Sequence, residues 1–490
     1  MTEALRIALF ADSAPQPLAR ALKEACAQRG LAADIREWAF TSPLAVQADL
    51  AAYQPTHILF WTSAEAEQFP EIEPLLALPY PLITYTMATR DDGAYGHLAA
   101  TTPASLRARI LAWNARLLSL ATEHPQLAVV DLDLIQSQLG RATTFDPRLW
   151  ALAHLALTPQ ATTLLAERTA DLLAAQRGRQ RKVLVTDLDN TLWQGIVSEV
   201  GPAAIHPEAP AHVAYRAWLR TLAGRGILLA VASHNDREVA LSAFDHPAQE
   251  MNPADFSAFE ADWGPKAEML HRIAQALNVA TNSLVFLDDR AEERTAVRAE
   301  LPEVAVPELP ADPALWMEFL AQQNLFETAT LTAEDALRAQ SLRENTQRQA
   351  AAATLSPAEY IASLQQVLTP EPLGPANLAR AAQLTQRCNQ FNMRGNRFTE
   401  AELAGRKGYV YRLTDRYGDL GTISAVILKG NEIEAWVLSC RALHRDVERL
   451  ILEHLKAAIP NLCGSYAPTE RNTACAEIYT TYGIPEAPHA

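Results

Sequence analysis

Residues Val183 to Gly195 read VLVTDLDNTLWQG, an apolar run fitting a buried strand that stops at two carboxylates one residue apart, Asp187 and Asp189. Strand alternation predicts that both side chains leave the sheet on the same side. Two carboxylates held together repel each other unless a cation shares them. The pattern therefore points to a divalent metal, with one acid available for covalent chemistry. Taken alone, Asp-x-Asp fits a solvated turn after a strand just as well.

Three later segments favour the metal. Gly226–Asp236, GILLAVASHND, is a second apolar run that leads into Ser233. Trp263–Lys266, WGPK, places Pro265 where a helix begins and Lys266 at the head of the amphipathic stretch KAEMLHRIAQALN. Ser283–Arg290, SLVFLDDR, is a third buried-type strand ending in Asp288 and Asp289. In a parallel α/β sheet, positions that follow strands or precede helices converge on one crevice at the carboxyl ends of the strands. Acid pair, hydroxyl, lysine and second acid pair, in that order, resemble the four-motif pattern of the HAD superfamily of phosphotransferases.

That resemblance implies roles. Asp187 would be the nucleophile that forms an aspartyl-phosphate, and Asp189 the acid for the leaving group and then the base for water. Mg²⁺ would lie between Asp187, the backbone carbonyl of Asp189, and Asp288, with Asp289 ligating or orienting it. An all-oxygen site that also holds a phosphate suits such a hard, water-retaining cation. Ser233 and Lys266 would hold phosphoryl oxygens, joined by Asn235, and Thr191 would brace the turn at the substrate. Arg290 either adds a phosphate contact or faces solvent.

At 490 residues the chain is long enough for about three domains. A net charge of −15 argues against a general nucleic-acid binder, which needs a basic face, and against an anionic membrane surface. The basic run Arg177–Lys182 reads as a charged linker. The five cysteines are scattered and lack metal-ligand spacing, which fits a reducing cytoplasm. No segment reads as a signal peptide or membrane span, so a cytoplasmic protein is expected.

The expected fold class is α/β in three domains. Residues 1–178 form a flavodoxin- or SGNH-like α/β domain with strands at IALF, HILFWTS and LITYTM. Ser13 after the first strand invites comparison with Gly-Asp-Ser hydrolases, but FDPRLWALAH sets His154 well beyond Asp146, so this domain is expected to be non-catalytic. Residues 179–328 form the HAD domain, a Rossmann-like parallel sheet with a minimal cap. Residues 329–365 read as a helical linker with too few apolar heptads for a coiled coil. Residues 366–490, with strands YVYRLTD, GTISAVIL and EIEAWVLSC, the helix RDVERLILEHLKAAI, and Asn472 and Tyr479 near the end, resemble the α+β GNAT acyltransferase fold.

These regions in this order resemble the FkbH-like proteins of HAD subfamily IIIC. The segments that carry the likeness are DLDNTLWQG, SHND, FLDDR with ERTAVRAELPEVAVPELP, CNQFNMRGNRFTEAE and LSCRALHRDVE. Members load a three-carbon glyceryl unit from 1,3-bisphosphoglycerate onto an acyl carrier protein and remove its phosphate, in polyketide or polysaccharide biosynthesis. The resemblance thus implies a phosphopantetheinylated carrier protein as partner and a phosphorylated three-carbon metabolite as substrate. The chain departs from the family pattern in three places. Ala232 stands where a cysteine is common, and alanine forms no thioester. His444 and Asp446 replace the glycines of the CoA-binding turn, which hinders close backbone approach and repels a pyrophosphate. Arg290 replaces an asparagine. A phosphatase for a small metabolite and a non-catalytic scaffold that binds carrier proteins are the alternatives.

Overall fold

The computed structural model describes residues 4–66, 68–329, 357–443, 445–469 and 471–487. Its contacts divide the chain into two compact units, Met1–Arg177 with Phe398–Ala404, and Gly178–Arg397 with Gly405–Ala490.

The first unit is built on β1 (Leu5–Ala11), β2 (Ala33–Ala39), β3 (His57–Trp61), β4 (Leu82–Tyr85) and β5 (Leu127–Val130). All neighbours are parallel, in the order β2-β1-β3-β4-β5. This is a doubly wound order whose topological switch point falls between β1 and β3. Along β1, Ile7 and Leu9 join one apolar cluster while Ala8 and Phe10 join another. A strand covered on both faces needs such an unbroken apolar run. Strand β2 (ADIREWA) is missing from the expected strands because it is a sheet edge, largely exposed and rich in charge.

The second unit holds two sheets. One comprises β6 (Val183–Thr186), β7 (Leu228–Ser233), β8 (Ala258–Ala261) and β9 (Leu284–Leu287), all parallel in the order β8-β7-β6-β9. Val183 and Val185 pack into one cluster and Leu184 into another, so β6 too is covered on both faces. Between the ends of β6 and β7 the chain makes one helical turn, Val197–Val200, and the helix Pro210–Gly224. No cap-sized insertion lies between them.

The other sheet is β10 (Val367–Pro372), β11 (Lys407–Asp415), β12 (Gly418–Lys429), β13 (Glu432–Leu438) and β14 (Cys463–Gly464). It is antiparallel except for β14, which runs parallel to β13. Strand β10, VLTPEP, contains Pro370 and Pro372, which supply no ladder N–H and so belong on an edge. Gly464 is required by packing: a Cβ there would come within 2.6 Å of Tyr479 Cζ.

Most of the expected helical linker, residues 330–356, lies outside the described residues. Its end, Pro357–Leu364, is a helix, and Leu364 carbonyl accepts from Arg416 N at 2.9 Å. Among the described residues no helix is long and apolar enough to cross a membrane.

Candidate active site

Strand β6 ends at Thr186, and the chain turns at once. Asn190 adopts a left-handed conformation, φ 54°, and its Oδ1 accepts from Gly195 N at 2.9 Å. Gly195 itself has φ 107°, where a side chain would be strained. Two residues of the helix Pro210–Gly224 hold the turn from behind. Arg216, fully buried, donates to the carbonyls of Leu192 and Pro207 at 2.9 and 2.7 Å. His212 Nδ1 lies 3.1 Å from the Thr191 carbonyl.

The turn gives the two acids different partners. Asp187 faces Lys266, with Oδ1 at 2.6 Å from Nζ. Asp189 is held by neighbours of its own: its Oδ1 accepts from Trp193 Nε1 at 2.9 Å and Val197 N at 3.0 Å, and its Oδ2 from Asn235 Nδ2 at 2.8 Å. Both acids lie past the last strand residue, Thr186.

Lys266 starts the helix Lys266–Ala276 and is 3% exposed. Besides Asp187, its ammonium contacts Asp288 Oδ2 at 3.1 Å and donates to the Ala232 carbonyl at 2.6 Å. Burial pulls its pKa down, but the charges of Asp187 and Asp288 and their hydrogen bonds outweigh that and hold it above the ordinary value. Asp187, Asp288 and Asp289 bring one carboxylate oxygen each within 4.8 Å of one another. Burial first, then the charge of Asp187, pushes Asp288 upward and raises Asp289 to about 6. Burial likewise raises Asp189, against three hydrogen bonds that lower it. Two buried carboxylates and a half-buried one, with a single lysine paired to Asp187 and Asp288, leave negative charge uncompensated, and an all-oxygen donor set of this kind fits a hard divalent cation. Of the four acids expected at the metal, Asp189 is the one whose side chain stands outside the cluster. Its expected ligand atom was the backbone carbonyl.

The remaining expected residues fall around this centre. Thr191 Oγ1 accepts from Asp289 N at 3.2 Å and donates to Asp289 Oδ1 at 3.3 Å, so it ties the first turn to the last. Ser233 ends β7, nearly buried, and its Oγ accepts from Asn235 Nδ2 at 3.4 Å. Arg290 uses its backbone N–H on Asp288 Oδ1 at 2.9 Å, but its guanidinium, half exposed, pairs with Glu292 at 2.9 Å and Glu293 at 3.6 Å. It is engaged by these acids and by none of the carboxylate cluster.

Sequence reasoning missed several residues. Buried Arg294 donates to the carbonyls of Asp288 and Asp289 at 2.8 and 2.7 Å and pairs with Glu308. His234 Nε2 lies 2.8 Å from the Gly264 carbonyl, and its ring stacks on the exposed Trp263, which ties β7 to the loop before Lys266. A basic residue one helical turn after an acid pair was the visible trace of Arg294; nothing local marked His234.

Elsewhere the groups singled out in sequence do different work. Ser13 Oγ is buried without a hydrogen-bond partner, while Asp146 caps the helix Pro147–Ala153 and pairs with Arg148. The ring of His154 packs edge-on against Trp150 and Phe40. No Ser–His–Asp relay forms among them. In the antiparallel sheet's unit, Asp446 is left-handed, φ 59°, at the start of the helix Val447–Ala458; it pairs with Arg449 at 2.6 Å and accepts from Tyr482 OH at 3.0 Å. Asn472, fully buried, donates to the carbonyls of Asn392 and Ala467 at 2.8 and 2.9 Å. All five cysteines are free, and of these Cys440 is exposed.

A family model described as FkbH, N-terminal domain, matches residues 75–174. Among solved structures the chain is similar to the N-terminal part of the protein BF1531 from Bacteroides fragilis, which contains a phosphatase domain and is complexed with Mg. The two share 29% identity at a TM-score of 0.60, over 67% of this chain and 95% of that one. A match to a UDP-GlcNAc 2-epimerase from Neisseria meningitidis, bound to UDP-GlcNAc, spans 70% of this chain and 100% of that one. At 9% identity and a TM-score of 0.18 it carries no argument. No curated protein matches the sequence.

Proposed function

We propose that this FkbH-like chain is a Mg²⁺-dependent phosphatase or phosphotransferase of the HAD type. The observation that carries the reading is the gathering of Asp187, Asp288, Asp289 and Lys266 from two strand ends and a helix start into one largely buried cluster. The Mg²⁺ in the similar protein from Bacteroides fragilis supports the choice of metal.

The carboxylates of Asp187, Asp288 and Asp289 and the backbone carbonyl of Asp189 would hold the ion, which when bound offsets the charge of phosphoryl oxygens. Asp187 attacks phosphorus, the ester P–O bond breaks, and Asp189 protonates the departing oxygen. Asp189 then takes a proton from water as that water attacks the aspartyl-phosphate, releasing phosphate and restoring the Asp187 carboxylate. Asn235, Trp193 and the Val197 N–H fix the Asp189 carboxylate, and Lys266 and Ser233 balance phosphoryl oxygens.

The finer reading is dephosphorylation and loading of a glyceryl unit from 1,3-bisphosphoglycerate onto a phosphopantetheinylated acyl carrier protein, in the cytoplasm. Its support is the three-region likeness in sequence and the FkbH match at residues 75–174. Ala232 gives weight to a second reading, a phosphatase for a small free metabolite, because its buried methyl group offers no thiol to carry an acyl group. The third region is read as GNAT-like without CoA-dependent transfer, because Asp446 and its partners Arg449 and Tyr482 fill the turn where glycines would admit a pyrophosphate.

Intact-protein mass spectrometry separates the readings. Candidate carrier proteins incubated with the chain, Mg²⁺ and 1,3-bisphosphoglycerate are expected to gain a glyceryl mass. Phosphate release from three-carbon phosphates with no mass gain on any carrier selects the free-metabolite phosphatase, and no release of either kind removes both.

A further inference from the structure

Between β6 and β7 the chain has room for one helical turn and one helix, so no inserted domain covers the carboxylate cluster. The alcohol that a phosphoryl group leaves behind therefore meets the loops around the site. Two of these loops, residues 233–236 after β7 and 262–266 before the helix Lys266–Ala276, are tied to each other. His234 Nε2 lies 2.8 Å from the Gly264 carbonyl, and Trp263 Nε1 donates to Asp236 Oδ1 at 3.1 Å. From the same two loops Asn235 reaches Asp189 and Lys266 reaches Asp187.

Trp263 stands out from its neighbours by exposure: 65%, against 3% for Lys266 and 0% for Asn235. A lone exposed apolar side chain is ordinary on a protein surface and calls for no ligand. This one differs in being fixed. Its N–H is held by Asp236, and its ring lies nearly parallel to that of His234, 16° apart with centroids at 6.4 Å. One face of the indole is thus backed and the other is left to solvent. His234 is itself held, by the Gly264 carbonyl and by Glu293 at 3.5 Å. A tryptophan kept in one orientation offers a large flat surface at little cost in side-chain entropy.

The charges nearby narrow what can lie on that surface. Arg290 is engaged by Glu292 and Glu293, Arg272 by Glu260 and Asp262, and Arg237 by the carbonyl and ring of Phe259. Among the described residues no ion pair engages Asp236, so the carboxylate beside the indole is uncompensated. Such a surface disfavours an anionic group. Resting on the phosphatase reading, we infer that Trp263 is a specificity-determining residue. The alcohol part of the phosphate ester lays a flat, uncharged ring or planar group against the open face of the indole, while its phosphoryl group meets Asp187 and Lys266. Three residues separate Trp263 from Lys266, at most about 10 Å of chain, so the flat group sits a short spacer away from the phosphate.

Steady-state hydrolysis with Mg²⁺ of three primary alkyl phosphates, matched in leaving-group reactivity, tests this: ethyl phosphate, 4-phenylbutyl phosphate and 4-(4-carboxyphenyl)butyl phosphate. In kcat/KM the parent is expected to favour the phenylbutyl ester over ethyl phosphate by about fivefold or more, the worth of an aromatic contact. At low salt it should favour it over the carboxyphenyl ester by about threefold or more. Trp263→Ala should cost the phenylbutyl ester about fivefold, mainly in KM, and ethyl phosphate less than about twofold, with Trp263→Phe restoring most of the loss. Equal losses for these two esters would make the indole a brace for the Lys266 loop and overturn the proposal. No preference for the phenylbutyl ester, or equal turnover of the carboxyphenyl one, overturns it too, and each of these results leaves the phosphatase reading standing. No turnover of any ester removes that reading and, with it, the role of Trp263.

Discussion

The sheets β2-β1-β3-β4-β5 and β8-β7-β6-β9 are built alike, with parallel strands, apolar runs covered on both faces, and polar residues gathered where the strands end. Their strand ends differ in charge. In the central sheet three carboxylates from two strand ends converge, two of them on one lysine supplied by a helix N-terminus, and burial raises Asp288 and Asp289. In the N-terminal sheet the corresponding acid, Asp12, is also raised by burial, to about 6, but a backbone N–H answers it and no second charge joins it. A shared topology therefore supplies a crevice, and only the convergence of charges from several strand ends supplies phosphoryl chemistry.

The sharpest test of that contrast is a pair of substitutions read in one phosphatase assay. Asp187→Asn keeps the shape of the side chain and removes the proposed nucleophile, so turnover is expected to fall by at least roughly a thousandfold. Ser13→Ala is expected to leave turnover unchanged. Equal losses from the two would mean that the strand ends of both sheets contribute to one reaction.

The next largest effect concerns Lys266. Replacing it with methionine leaves Asp187 and Asp288 buried without their cation, and losing one partner of such a cluster costs about 3–5 kcal/mol. Thermal unfolding in EDTA should show that loss, and saturating Mg²⁺ should recover part of it. A variant as stable as the parent in EDTA would show that the lysine does not balance the carboxylates.

How much of this was legible in sequence follows from where the information is local. Asp187, Lys266, Asp288 and Asp289 stand beside apolar runs that mark strand ends, so composition and order bring them together. The partners of Asp189 were not legible, because they are brought to it by a turn that Arg216 and His212 hold from a separate helix. For Arg290 the sequence left a phosphate contact and a solvent-facing side chain both open, and its engagement by Glu292 and Glu293 is visible only in the structure. Strands β2 and β10 hid behind charge and proline, both permitted by their edge positions.

Metal and pH should act together on the central site. Without metal, Asp289 titrates near 6, above its ordinary 3.8, so the folded form favours its protonated state. A raised acid contributes stability that is full below the ordinary value and lost as pH rises through the folded one. In EDTA, stability should therefore decline between about pH 4 and 6. Mg²⁺ binds the ionised carboxylates, so the Tm difference between Mg²⁺ and EDTA should widen over the same window. At a hundredfold excess over Kd the ion adds about 2.7 kcal/mol. A difference that stays constant from pH 4 to 7 would remove these carboxylates from the metal site.

The smallest expected effect belongs to the N-terminal acid. Asp12→Ala deletes the acceptor of Ser63 N and leaves that N–H to find water, at a cost of about 1–2 kcal/mol for a charge-assisted bond only partly shielded from solvent. Asp12→Asn keeps an oxygen in place and should lose less, because the ionised form of Asp12 is already disfavoured by burial. Neither change should alter phosphatase turnover. This is the point where the contrast between the sheets can fail from the other side. If Asp12→Ala lowered turnover while sparing stability, the lone acid of the first sheet would be acting on the reaction, and the number of converging charges would no longer explain which crevice does chemistry.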